Sequence, residues 1–186
     1  MSKTRHRIIL ESVKLFQRHG YHGTGVSAIL KAAKIPKGSL YYHFPEGKEQ
    51  VASAALAWLT KEIVVFLDAR DLEGATGQSM ITGMAEFCRK LSKSEGAVRG
   101  SLITVLASEC IPDSSRLSKE LAASISQIEA ILERGFDRQG ATNPAGTAMQ
   151  SLALLEGAFL INRIKGQQAD PLFLVQNLEK RLNSAS

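Results

Sequence analysis

Residues 37–43 combine side chains that can form hydrogen bonds with a nucleic acid duplex. Lys37 can donate to guanine O6 and N7, Gly38 lets the backbone approach closely, and Ser39 can donate or accept. The side chains that follow are of types that commonly reach phosphates or pack on sugars: Tyr41, Tyr42 and His43. This segment therefore predicts a short helix whose exposed face reads a DNA groove.

Two residues outside this segment belong to the same candidate surface. Thr24 is expected to cap the preceding helix, with Gly25 as the alternative cap, and its hydroxyl can also bond to the DNA backbone. Lys48 opens the next predicted helix, where a cation and free backbone N–H groups together attract a phosphate.

The distribution of charge supports a polyanion partner for the N-terminal part of the chain. Residues 1–50 contain nine Lys or Arg and three Asp or Glu, for a net charge of +6. The remaining 136 residues contain 14 basic and 15 acidic residues, for a net charge of −1. A positive field confined to one end favours a nucleic acid contact there and a different task elsewhere.

The elements that must position these residues are all predicted to be helical, because apolar residues recur at helical spacing along the whole chain. We expect about nine helices: a basic head, residues 1–47, made of three helices with a helix-turn-helix, and a larger body, residues 48–186. The predicted helices cover residues 4–19, 26–34, 37–43, 48–67, 78–92, 98–108, 114–139, 145–165 and 171–183, with a loop at 71–77.

The head sequence closely resembles the DNA-binding signature of the TetR family of bacterial regulators. The matching residues are Leu15-Phe16, Gly20, Thr24, Ile29, Ala33, Lys37 through Phe44, and Lys48-Glu49. Leu30 stands where the family usually has Ala, and Gly47 is an additional residue. The string from Pro36 to Glu49 also resembles a branch linked to drug-efflux and flavonoid-responsive genes.

The resemblance implies a cytoplasmic repressor that binds a palindromic operator as a homodimer and is released by a small hydrophobic or aromatic inducer. The last two predicted helices are expected to form the dimer interface through Leu152, Leu155, Phe159, Leu174, Leu178 and Leu182. The spacing leaves open the alternative that some of these residues face the core of a single chain. Candidate walls of the inducer pocket are Trp58, Phe66, Met84, Phe87, Leu106 and Phe136, with Glu109 and Glu156 as polar contacts.

Other classes of function find less support. An architectural, non-specific DNA-binding protein would explain the basic head but not the neutral body. No catalytic constellation, phosphate-binding loop or metal-ligand spacing occurs, so we expect neither an enzyme nor a metal or cofactor site. The two cysteines, Cys88 and Cys110, are expected to be separate thiols. No stretch of the sequence approaches the roughly 18 apolar residues that would suggest a membrane span, so we expect none.

Overall fold

The computed structural model describes residues 2–36, 38–92 and 100–165, and the described chain is all-helical, as predicted. The eight helices in these ranges are α1 (Lys3–His19), α2 (Val26–Ala32), α3 (Ser39–His43), α4 (Lys48–Leu72), α5 (Gly77–Ser92), α6 (Leu102–Cys110), α7 (Ser115–Arg138) and α8 (Pro144–Ile164). The helix predicted at 171–183, with Leu174, Leu178 and Leu182, lies outside the described residues.

The first of two compact units contains residues Met1–Thr60 and Gly100–Ser124. Its core is built from the apolar stripe of α1, including Ile8 and Phe16, together with Leu40 and Phe44, all of which are fully buried. Removing these side chains from water is the main stabilising contribution to so short a set of helices. The boundary predicted after residue 47 falls inside this unit, because the head packs with parts of α4, α6 and α7.

The second unit contains residues Lys61–Arg99 and Ile125–Ser186. In it, Asp71 near the end of α4 accepts hydrogen bonds from Arg138 at 2.7 Å and from Arg134 at 2.6 Å. These two bonds, that of Arg138 first, lower the pKa of the Asp71 carboxyl below its usual value. The pair of arginines on α7 thus keeps the last turn of α4 helical, which corrects the loop predicted from residue 71.

Close backbone approach also shapes the second unit. A Cβ atom added to Gly77, the first residue of α5, would lie 2.4 Å from Cγ of Phe136. A Cβ atom on Gly135 would lie 2.8 Å from the backbone N of Gly77. Glycine is therefore required at both positions for α5 and α7 to pack at this distance.

Helix α4 was not expected to resemble a membrane span, yet it is long and apolar enough to cross a membrane by length and composition alone. In the structure 44% of its most apolar window is buried inside the chain. Its buried residues, including Leu56, Ile63 and Leu67, contribute to the protein core. The apolar character of α4 is thus explained by its packing as a core helix.

Candidate nucleic-acid interface

The turn between α1 and α2 is fixed by a glycine and a buried hydroxyl. Gly20 ends α1 with φ of +81° and donates its N–H to the carbonyl of Phe16. Thr24 is buried, and its hydroxyl donates to the Gly20 carbonyl oxygen at 2.7 Å. Thr24 therefore closes the turn, and Gly25 is the N-cap of α2. The expectation that Thr24 caps α2 or bonds to DNA through its hydroxyl is corrected, because that hydroxyl is used inside the head.

The turn between α2 and α3 begins earlier than predicted. Helix α2 ends at Ala32, and Lys34 adopts φ of +52°, while Ile35 donates its N–H to the carbonyl of Leu30. Pro36 disfavours helical geometry at Ile35, so the chain leaves the helix before this point. Lys37, the first residue of the predicted reading segment, lies outside the described residues.

Helix α3 presents one buried and one exposed face, as its sequence predicts. Leu40 and the following Phe44 are fully buried, whereas Tyr41 is 58% exposed and Tyr42 is 84% exposed. The Tyr42 and His43 rings meet edge to face, with centroids 4.9 Å apart. Gly38 is exposed, while Ser39 and His43 are partly so. Four residues predicted to meet DNA thus extend along α3 from the Gly38 cap: Ser39, Tyr41, Tyr42 and His43.

Two basic residues of the preceding segment are also exposed. Lys31 lies in the last turn of α2, and Lys34 follows that helix in the left-handed region. Both lysines contribute to the net charge of the head, but the sequence alone does not indicate that they are exposed. Their exposure, which depends on where α2 ends, makes them further candidates for phosphate contact.

Lys48 begins α4 as predicted, but its ammonium group has partners within the head. Its Nζ donates to the carbonyl of Tyr21 at 3.1 Å and lies 4.3 Å from the centroid of the Tyr21 ring. Burial, and then the nearby Cys110 and Glu49, raise the pKa of the Tyr21 hydroxyl. Lys48 therefore positions the α1–α2 turn, a role that sequence analysis missed because the two residues are 27 positions apart.

The additional Gly47 has a local explanation. It adopts φ of +74°, donates its N–H to the carbonyl of Phe44, and accepts from Val51 N–H as α4 begins. A residue other than glycine is strained in this conformation. Gly47 thus makes the tight turn that leads from α3 into α4.

Comparison with known proteins identifies the family. The model described as "Bacterial regulatory proteins, tetR family" matches residues 8–55, which include α1, α2, α3 and the start of α4. The chain is also similar to the HTH-type transcriptional regulator LmrA of Bacillus subtilis, at 28% identity over 94% of this chain and 93% of the relative. The head, residues 8–55, is thus that of the TetR family. The chain is accordingly a transcriptional regulator with a DNA-binding helix-turn-helix.

Further comparisons extend the similarity over most of the chain. The uncharacterized HTH-type regulator YxaF of Bacillus subtilis is 29% identical over 92% of this chain and 91% of that relative. A TetR transcriptional regulator from Legionella pneumophila has a similar fold, with a TM-score of 0.85 at 22% identity over 97% of this chain and 98% of that one. The relatives are named as regulators, which is a non-enzymatic role.

The predicted pocket residues divide between the two units. Trp58 and Leu106 belong to the first unit, where Leu106 is buried. Glu109, also in the first unit, accepts a hydrogen bond from the His22 backbone N–H at 2.8 Å. The expectation that Glu109 is a polar contact for the inducer is not supported, because its carboxylate is directed at the α1–α2 turn of the head.

The remaining pocket candidates lie in the second unit, where Met84 and Phe136 are buried. Phe66 and Phe87 stack with centroids 5.1 Å apart. Burial, and then the charge of Glu156, raise the pKa of the Cys88 thiol to about 12. Two buried polar atoms, Arg89 Nε and Asn162 Oδ1, have no hydrogen-bond partner among the described residues. The helices that carry them, α5 and α8, pack on each other.

Within the described ranges, no group of three His, Cys, Asp or Glu side chains is placed to hold a metal ion. Cys88 and Cys110 form no disulfide and belong to different units.

For the part of the predicted dimer seam that lies on α8, the structure favours the alternative that the spacing left open. Leu152, Leu155 and Phe159 are buried within the single chain, so they pack in the core of the second unit. A different stripe of α8 is exposed, which we call the α8 stripe: Met149, Ala153, Gly157, Leu160 and Ile164. Its members recur every three or four residues, so they share one face of the helix.

Proposed function

We propose that this TetR-family chain is a cytoplasmic repressor that binds a palindromic operator as a homodimer. The carrying observation is the exposed face of α3, on which Tyr42 is 84% exposed while Leu40 beneath it is fully buried. A short helix that is buried on one face and exposed on the other is suited to enter the major groove. Symmetry is expected because one helix-turn-helix contacts one half-site, and two copies read a palindrome.

The α8 stripe is the dimer surface in this proposal. Ile164 is 71% exposed, and Met149 and Leu160 are about half exposed. A Cβ atom added to Gly157 would meet nothing within 4 Å, so a second helix can approach the backbone at this point. Exposed apolar stripes of this kind mark interaction surfaces in soluble proteins.

The second unit is proposed to bind the inducer, a small hydrophobic or aromatic molecule. The stacked Phe66 and Phe87 offer aromatic contacts, and Arg89 Nε and Asn162 Oδ1 offer a donor and an acceptor. Because buried polar atoms in proteins nearly always have partners, an unpaired donor and acceptor favour a ligand with polar groups of its own. An effective inducer must bind the DNA-free state more tightly than the DNA-bound state.

Fluorescence anisotropy with DNA from upstream of the chain's own gene tests the repressor proposal. We expect a duplex containing the operator to bind at least about 1,000 times more tightly than a scrambled duplex at the same salt concentration. Equal affinity for both duplexes would favour the architectural, non-specific alternative.

Substitution of two lysines distinguishes a residue that contacts bases from one that positions the head. Lys37→Ala is expected to relax base preference, at a cost of about 1–3 kcal/mol on the operator alone. Lys48→Ala is expected to weaken both duplexes, because it removes a positive charge from the head, and to weaken the operator further, because it also releases the Tyr21 carbonyl that Lys48 holds. Indistinguishable profiles for the two variants would contradict this division.

For the inducer, a thermal-shift screen of aromatic compounds is followed by the same anisotropy assay. A compound that stabilises the protein but leaves the operator bound is not an inducer. Arg89→Met and Asn162→Leu are expected to weaken a true inducer, whereas Arg134→Met, on the surface of the same unit, is the matched control.

A further inference from the structure

The end of α6, the loop after it and the start of α7, residues 109–116, contact the head at two separate turns; we call this segment the α6–α7 connection. The first contact is made by Glu109. Its Oε2 accepts from the His22 backbone N–H at 2.8 Å, and its backbone carbonyl lies 2.9 Å from Nε2 of the His22 ring. A Cβ atom on Gly20 would lie 2.3 Å from Oε1 of Glu109, so the carboxylate rests directly against the turn.

The second contact is made by Ser114 and Arg116. The Ser114 hydroxyl donates to Oε1 of Glu49, in the first turn of α4, at 2.6 Å. The Arg116 guanidinium donates to the Glu46 carboxylate, in the turn between α3 and α4. A further bond from Arg116 Nε to Glu120, at 3.1 Å, holds the guanidinium in this direction.

These two contacts flank the reading part of the head. The α1–α2 turn precedes α2, and the α3–α4 turn follows α3, so residues 25–44 are held from both ends. The bonds involve a carboxylate or a guanidinium, and hydrogen bonds to charged groups are stronger than neutral ones. The start of the α6 segment is fixed as well, because Gly100 donates its N–H to the carbonyl of Gln17 in α1.

We propose that the α6–α7 connection is the positioning element for the helix-turn-helix. Glu109 and Arg116 set where α2 and α3 lie, and displacement of this one segment moves both turns together. The part of this inference that concerns DNA binding rests on the proposed function. It assigns to Glu109 a structural contact with the head in place of the ligand contact expected from sequence.

Two pairs of variants test the proposal with matched changes in charge. Arg116→Ala removes a contact to the head, and its control Arg134→Ala removes an exposed arginine of the same helix that pairs with Asp71. Glu109→Gln retains the size of the side chain, and its control Glu86→Gln changes an exposed residue of α5. All four proteins are compared with wild type by anisotropy on the operator and scrambled duplexes.

The expected result is a loss of discrimination. Arg116→Ala and Glu109→Gln should each bind the operator about 2- to 5-fold more weakly, as is usual for loss of a charged contact that is partly exposed to solvent. Their affinity for scrambled DNA should change less than about twofold beyond the change in the matching control, since the charge changes are equal. Equal effects of Arg116→Ala and Arg134→Ala on discrimination would overturn the proposal.

Hydrogen exchange supplies a readout that does not need the operator. A double variant, Arg116→Ala/Glu109→Gln, is compared with a double control variant, Arg134→Ala/Glu86→Gln. Amide protons in residues 20–24 and 46–50 should exchange faster in the first protein than in the control, while α7 remains protected in both. Unchanged exchange at both turns would refute the positioning role. If wild type shows no operator preference, the proposed function fails, and the exchange result alone decides the positioning role.

Discussion

Gly20 offers a quantitative test of how tightly the head turn is packed. Its φ of +81° and ψ of +169° lie in a region that is almost exclusive to glycine, and alanine there costs about 1–3 kcal/mol. The new methyl group would also fall 2.3 Å from Oε1 of Glu109. Displacing this carboxylate breaks its bond to the His22 N–H, worth about 1.5 kcal/mol at this half-exposed site. We expect Gly20→Ala to lower the free energy of unfolding by roughly 2.5–4.5 kcal/mol.

The chain provides a matched control at Gly140, which ends α7. Gly140 adopts φ of +82°, but an added Cβ atom would meet nothing within 4 Å. Gly140→Ala should therefore cost only the backbone penalty, about 1–2 kcal/mol. Both variants can be measured by urea denaturation followed by circular dichroism, at one fixed protomer concentration because assembly contributes to stability.

The double variant Gly20→Ala/Glu109→Ala identifies the source of the difference. If the carboxylate is the obstacle, its removal relieves the steric part, and the double variant loses less stability than the two single variants together. The reasoning is refuted if the losses in unfolding free energy of the two single variants add, or if Gly20→Ala and Gly140→Ala cost the same. Either result would show that the Glu109 side chain moves aside at no cost in free energy.

Three other predictions concern separate features. Lys34→Gly should raise the free energy of unfolding by about 0.5–1 kcal/mol in the same urea assay, because glycine adopts a positive φ without the left-handed penalty; a loss of stability would contradict this. Ile164→Glu should produce monomers in analytical ultracentrifugation, whereas Leu72→Glu, at a 90% exposed residue of α4, should leave the dimer intact; the reverse pattern would exclude the α8 stripe. Burial raises the pKa of the Cys88 thiol to about 12 from the usual 9.0. The stability that the buried neutral thiol contributes is therefore complete below pH 9. It declines as the pH rises toward 12, by at most about 1.4 kcal/mol per pH unit. Cys88→Ala should flatten this alkaline decline in unfolding free energy, and an identical slope in both proteins would count against the buried thiol.

Local signals in the sequence were sufficient for most helix boundaries. Helix α7 was predicted at 114–139 and occupies Ser115–Arg138, because Gly140 stops it with a positive φ. Helix α8 was predicted from residue 145 and begins at Pro144, after the Asn143 cap. Caps and stop signals act within one turn of a helix, so they can be read without knowledge of the tertiary structure.

Features that depend on distant partners were not predictable in this way. Leu155 and Leu160 are equally apolar, yet one is buried in the core and the other is exposed on the α8 stripe. Because α8 is apolar on more than one side, periodicity cannot distinguish a core face from an interface. Lys48 and Glu109 were each assigned to an external ligand, since nothing in the local sequence identifies Tyr21 or His22 as their partners.

The composition of the first unit has a practical consequence for chimeric regulators. A natural splice point for exchanging DNA specificity between relatives is the end of the helix-turn-helix, near residue 47. Such a graft would bring a foreign α1–α2 turn against the resident Glu109, and a foreign residue 46 against the resident Arg116. The transferable module is discontinuous in sequence: residues 1–60 must be exchanged together with residues 100–124 if the new head is to keep its native contacts.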